Sequence, residues 1–293
     1  ALGTDRISEI APLTKTFTSL LLAEAVVRGE AGLEDPLAAY VPEATTVPDH
    51  AGRQITLLDL ATHGSGLPLR PSNLEAVFAD EPNKYAGYSL NKLYEALPTY
   101  RLDQAPGTHF IYSNLGFGLL GQGLALSSAT TYDALLRERI TGPLGMDDTG
   151  TDNKPAKARR RAQGHDADLR PVAPTHDGAL DPAGGLRSTA DDLLKLLEVF
   201  VNRRGPDSIV RAAELMLTVD RPGDAGTTRM ALGWRRETVH GETYYWSNGS
   251  GDGSRAFMGF NPGRRIAVVA LADAASGGGL DDIGRFVLDP QQE

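Results

Sequence analysis

The chain has 293 residues, 41% of them apolar, with 38 acidic against 29 basic side chains and a net charge of −9. That length and apolar content suffice for a large core, in one big domain or in two lobes, and the negative charge argues against nucleic acid as a partner. No run of 18 apolar residues predicts a membrane span, no charged-then-apolar leader opens the sequence, which favours the cytoplasm, and the lack of cysteine excludes disulfides and thiolate chemistry.

In chain order, Ala1 to Ile10 lead into a helix expected over Leu13–Arg28, with Pro12 at its first position. Proline is favourable there, because its missing N–H would have been an orphan and its fixed φ suits a helix. Leu13, Phe17, Leu20 and Leu21 form its apolar stripe, and Gly29 ends it as a C-cap. The stretch Ile55–Leu67 reads as a helix end followed by a glycine turn, and residues 68–105 as loop with a helical pattern near Leu90–Leu97. Thr131 to Ile140 has amphipathic helical spacing, and the basic run Lys154 to Arg161 reads as a solvated loop. His165, Asp166 and Asp168 are ligand types, but no helical His pair or Cys set accompanies them, so they are read as surface residues and no metal is expected. Gly184-Gly185 lets backbone approach a cleft closely, and Ser188 or Thr189 caps a helix whose stripe is Leu193, Leu194, Leu197 and Val201. Glu242–Trp246, Ser254–Phe260 and Arg265–Ala272 are predicted as strands of an antiparallel meander, closed by a helix over Asp281–Leu288.

Several stretches carry a resemblance. They are Ile10-Ala11-Pro12-Leu13-Thr14-Lys15-Thr16-Phe17-Thr18, Gly32–Leu37 with Tyr40–Glu43, Ile55–Leu67, Pro106–Gly121 around Tyr112-Ser113-Asn114, Pro143–Thr149, and Asp181–Leu193. Their order and spacing, from Glu9 to Leu288, resemble the penicillin-recognising serine hydrolases: class C-type β-lactamases, DD-peptidases and their esterase relatives. The resemblance implies an α/β fold, an antiparallel sheet flanked by helices with an inserted all-α lobe. It further implies a single β-lactamase-like domain over 1–293, with 1–67 and roughly 176–293 as the α/β part and roughly 68–175 as the mainly α lobe. In that family a further helix and a strand hairpin precede the first helix. Those elements are not in this sequence, so either residues lie upstream or the sheet is built without them.

The same resemblance frames the chemistry. The family's first motif is Ser-x-x-Lys on one helix face; here Lys15 matches, and the Ser position reads Pro12. Proline has neither a hydroxyl to attack a carbonyl nor the N–H that forms half of the family's oxyanion hole, and losing one such donor costs about 10²–10³ in rate. Ser8 and Thr14 sit at other helical angles. Where the family carries Lys-Thr-Gly or His-x-Gly, this chain has Ser247-Asn248-Gly249, without the cation. Carried over position by position, Lys15 and Tyr112 move protons, Asn114 orients a substrate amide, and the N–H of Ser250 is the surviving half of the oxyanion hole. Pro12, Ser247, Asn248 and Gly249 complete the substrate side. Tyr245 and Trp246 are either cleft or sheet residues.

Two altered motifs look like divergence. The leading expectation is a protein that binds or transforms a small molecule in the family cleft by acid–base chemistry of Lys15 and Tyr112, without an acyl-enzyme. The alternatives are a serine hydrolase, esterase or acyltransferase rerouted through another hydroxyl or a water, and a non-catalytic binding protein. No cofactor is implied; the expected partner is a small molecule, not nucleic acid or a membrane, and a homo-oligomer is left open.

Overall fold

The computed structural model describes residues 3–74, 85–151, 155–175, 177–224, 226, 228–275 and 279–290. The chain opens with the short strand β1 (Ser8–Glu9), a 3-10 turn over Ala11–Leu13, and helix α1 (Thr14–Val27). Pro12 therefore lies in the 3-10 turn and not at the first position of the α-helix. Gly29, at φ +75°, ends α1 as expected.

The expected single stripe on α1 is too narrow a description: every residue from Thr14 to Glu24 is buried. A helix covered on all sides must satisfy its polar side chains internally. Thr16 donates to Gly233 O at 2.8 Å, Thr18 to Pro182 O at 2.7 Å, and Thr14 to Ala11 O at 2.7 Å while accepting from the N–H of Leu186. These bonds fasten α1 to the segments that later border the cleft.

A small hairpin, β2 (Asp49–His50) and β3 (Arg53–Gln54), precedes α2 (Leu57–Ala61), which Thr56 and Asp59 open with a capping box. Then follow α3 (Leu90–Ala96), α4 (Asn114–Ser127) and α5 (Tyr132–Leu136). The helix expected to run from Thr131 to Ile140 changes after Leu136 into a π-helical turn over Arg137–Thr141. Of the basic run, the described part is a 3-10 helix over Pro155–Arg160, where Lys157 and Arg160 pair with Asp148. His165 is a structural residue whose ring bonds the carbonyl of Asp273 at 3.0 Å, and no metal-binding cluster occurs among the described residues.

The short helix α6 (Asp181–Gly184) leads to β4 (Arg187–Ser188), which pairs with β1, and to α7 (Ala190–Asn202). Thr189, and not Ser188, caps α7, accepting from the N–H of Asp192. The stripe of α7 also shifts: Leu194 is exposed, and Leu193, Leu196, Leu197, Val199 and Phe200 are buried. A helix that the sequence pattern does not announce, α8 (Asp207–Thr218), packs against α1.

The main sheet holds six antiparallel strands among the described residues, not three: β5 (Arg221–Pro222), β6 (Arg229–Ala231), β7 (Trp234–Val239), β8 (Glu242–Ser250), β9 (Arg255–Asn261) and β10 (Ile266–Ala272). They run in sequential order with β10 and β5 outermost. Their register places Tyr245 opposite Phe260, and Ser247 opposite Met258. Helix α9 (Leu280–Leu288) closes the chain across β9 and β10. The N-terminal 3-10 turn rests on β8 and β9, where the strand and the first motif meet. Gly249 makes that contact possible, since a Cβ there would stand 2.6 Å from Ile10 O and 3.2 Å from the nitrogen of Pro12.

Candidate active site

Pro12 separates two spaces. On one side lies a cavity of about 150 Å³ whose walls include Pro12, Asn114, Asp177, Arg187, Ser250 and Asp252. On the other lies a narrow space of about 20 Å³ between Lys15, His63, Tyr112, Arg235, Ser247 and Asn248. The residues selected from sequence thus come together from α1, α4 with its preceding loop, and β8. Gly249 stands behind Pro12 as the close-approach position.

Lys15 is buried, 4% exposed, and donates to Ala183 O at 2.6 Å. Its ammonium also lies 4.8 Å from the ring centroid of Tyr112 and 5.6 Å from that of Phe117. Lys15 therefore meets Tyr112 through the ring face, a cation–π contact. Tyr112 in turn lies against His63, centroids 4.3 Å apart.

In the sequence His63 belongs to a structural turn, and it does hold one: its backbone sits at φ +58° and its Nδ1 accepts the N–H of Ser113 at 3.1 Å. Burial, with added repulsion from Lys15 and Arg235, holds its imidazole well below the usual histidine range. The ring is neutral, and since Nδ1 accepts, its proton is on Nε2.

Asn114 opens α4 after Ser113, whose hydroxyl caps the helix by accepting the N–H of Gly116 at 2.8 Å. Asn114 Oδ1 is buried with no hydrogen-bond partner among the described residues. On β8, Ser247 is 8% exposed, while Asn248 donates to Asp281 at 2.6 Å. Tyr245 and Trp246 resolve as sheet residues: Tyr245 stacks on Phe260, and Trp246 stacks on Phe257 and donates from Nε1 to Glu237.

The two hydroxyls nearest Pro12 in sequence are committed elsewhere. Ser8 is 3% exposed in β1, and Thr14 is fully buried in its bonds to Ala11 and Leu186. Ala11 has φ +46°, a left-handed conformation that costs a non-glycine residue about 1–2 kcal/mol.

Two groups carry no plain signal in the sequence. Arg235, on β7, lines the narrow space and donates from Nη1 to Asn248 Oδ1 at 3.4 Å. It is held by Asp224 at 2.8 Å and lies 5.0 Å from the Trp246 ring centroid. In the sequence, Arg235-Arg236-Glu237 has the look of a solvated surface. Asp177 is the other. Burial above all, then the charge of Asp181, pushes its carboxyl up to about 7, and burial pushes that of Asp181 up to about 6. The one hint in the sequence is the Asp177–Asp181 spacing just before the double glycine.

This arrangement of helix, Tyr-x-Asn turn and β8 agrees with the comparisons to known proteins. The chain matches the beta-lactamase family over residues 2–289. It is 33% identical over 244 residues to the D-alanyl-D-alanine-carboxypeptidase/endopeptidase AmpH of Escherichia coli K12, covering 78% of this chain and 60% of that protein. A beta-lactamase of the same strain is 29% identical over 229 residues, covering 77% of this chain and 56% of that protein. The chain thus spans little more than half the length of these relatives. A class C beta lactamase structure from Rhodobacter sphaeroides superposes with a TM-score of 0.83 at 24% identity, over 98% of this chain and 86% of that one. Sequence match and shared fold cover the chain nearly end to end, and the chain belongs to the beta-lactamase family.

Proposed function

We propose that this protein is a diverged member of its family that binds or transforms a small molecule in the cleft beside Pro12 without forming an acyl-enzyme on that helix. The observation that carries the reading is Pro12 itself, set at the junction of α1, β8 and the Tyr-x-Asn turn with neither hydroxyl nor N–H. The neighbouring hydroxyls of Ser8 and Thr14, buried in structural roles, support it further. What chemistry remains is acid–base: Lys15, Tyr112 and the near-neutral Asp177 are the proton-carrying groups around Pro12.

The test is covalent labelling. The protein is incubated with a penicillin and, separately, with p-nitrophenyl butyrate, and followed by intact-mass spectrometry. No stoichiometric adduct is expected on residues 3–28. Acylation mapped to Ser250, the exposed hydroxyl at the cavity, would instead establish a rerouted serine hydrolase.

A further inference from the structure

The larger cavity has a chemical asymmetry. Among the described residues, the buried side-chain atom of its lining that has no partner is an acceptor. Asn114 Oδ1 is buried and unpartnered, and no donor reaches the carboxyl of Asp177 among the described residues; Asp252, also in the lining, is exposed. A buried acceptor is normally paired, so an open one in a wall that also carries the carboxyl groups of Asp177 and Asp252 marks where a donor is to come from. Gly184 clears the way to one of them: a Cβ at that position would stand 2.7 Å from Asp177 Oδ2.

The cations of the same wall are committed or peripheral. Arg187, 5% exposed, donates to Glu9 at 2.9 Å and to Thr175 O at 2.6 Å. Arg70 is exposed, its guanidinium 5.9 Å from the Tyr85 ring centroid. Lys15 lines the narrow space and not this cavity, and directs its ammonium to Ala183 O. The lining also includes apolar surfaces of Ala11, Pro12, Leu180 and Leu186.

From this geometry we infer that the cavity takes a primary ammonium compound, its cationic head between Asp177, Asp252 and Asn114 Oδ1 and a short apolar tail against Pro12 and Leu180. The inference rests on the small-molecule reading above and names the ligand class for the same cleft. The head supplies three N–H donors, enough for the buried amide oxygen and for carboxylate oxygens of the same lining. A cavity of about 150 Å³ accommodates a chain of a few carbons.

Asp177 makes the recognition pH-dependent. It faces Asp181 on α6, Lys15 on α1, Glu9 on β1 and Arg187 on β4. With its carboxyl pushed up to about 7, it gains its charge between pH 6 and 8, so ammonium binding strengthens over that interval.

The experiment is a titration of the whole chain with butylammonium chloride, sodium butanoate and butanol at constant ionic strength, read by saturation-transfer NMR at pH 6 and pH 8. Butylammonium is expected to bind best, tighter at pH 8. Asp177→Asn is expected to weaken it about tenfold, the size of one charge-assisted hydrogen bond. Arg70→Gln should leave it unchanged. If butanol or butanoate binds as well as butylammonium, or if folded Asp177→Asn and Asp252→Asn both bind it normally, the inference fails while the cleft reading stands. If none of the three probes enters, both fail.

Discussion

The ammonium of Lys15 and the carbonyl oxygen of Ala183 are 2.6 Å apart, joining α1 to α6 in the wall of the cleft. A buried charge needs such a partner, and losing one leaves the other unsatisfied. Lys15→Met keeps the length of the side chain but orphans the carbonyl. We expect a loss of roughly 1–3 kcal/mol in urea unfolding. A neutral result would mean that water replaces the ammonium at no cost.

Ala11 offers the opposite kind of change. Its left-handed φ of +46° costs about 1–2 kcal/mol, whereas glycine's extra freedom in the unfolded chain costs about 0.5–1 kcal/mol. Relief of strain outweighs that loss of freedom, so Ala11→Gly should stabilise by several tenths of a kcal/mol to about 1 kcal/mol. Urea midpoints of the two proteins decide it; a destabilised variant would show that Ala11 adopts an ordinary conformation in solution.

Asp177 couples stability to pH. Its carboxyl keeps a proton in the native state up to about 7 that the unfolded chain releases near about 4. Its favourable contribution is therefore complete below pH 4 and is lost as pH rises through 7. Asp177→Asn removes that loss. The variant should match the parent at pH 4 and exceed it at pH 8, by on the order of 1–3 kcal/mol in denaturant unfolding. A difference independent of pH would contradict the burial of this carboxyl. Stability gained by removing a cleft residue is the pattern expected where a site trades stability for function.

What could be read from the sequence was local and ordered along the chain. The α1 helix, the Tyr112-Ser113-Asn114 turn, the double glycine and the last three strands each carry a contiguous pattern, and each formed close to where expected. The groups that escaped reading depend on partners far away in sequence. Asp177 is shifted by burial among β1, α1 and β4, and Arg235 becomes a cleft residue only because β7 lies beside β8. The strands β5 to β7 were missed because Arg229, Arg235, Arg236 and Glu237 interrupt the apolar alternation, while their charges are absorbed by Asp220, Asp224 and Arg285. The left-handed φ at Ala11 has no signal in an alanine.

The remaining prediction asks whether a nucleophile can be returned. Pro12→Ser restores a hydroxyl and an N–H at the same point, in a turn where serine is well tolerated. The incoming hydroxyl would sit beside Lys15 and Tyr112, the groups that must take its proton. Ser247 brings no cation, and Arg235 is already held by Asp224, so a carboxylate-bearing β-lactam gains little there. We therefore expect Pro12→Ser to acquire slow p-nitrophenyl butyrate hydrolysis with an adduct at residue 12, and to leave β-lactams intact until Ser247→Lys is added. Ala11→Gly in the same chain should raise the rate further, since it frees the turn that presents residue 12. Either Lys15→Ala or Tyr112→Phe in that background should abolish the gain. Persistent hydrolysis in both of those variants would place the proton acceptor elsewhere in the cleft, and a folded but inert set of variants would show that Pro12, Lys15 and Tyr112 do not form one working site.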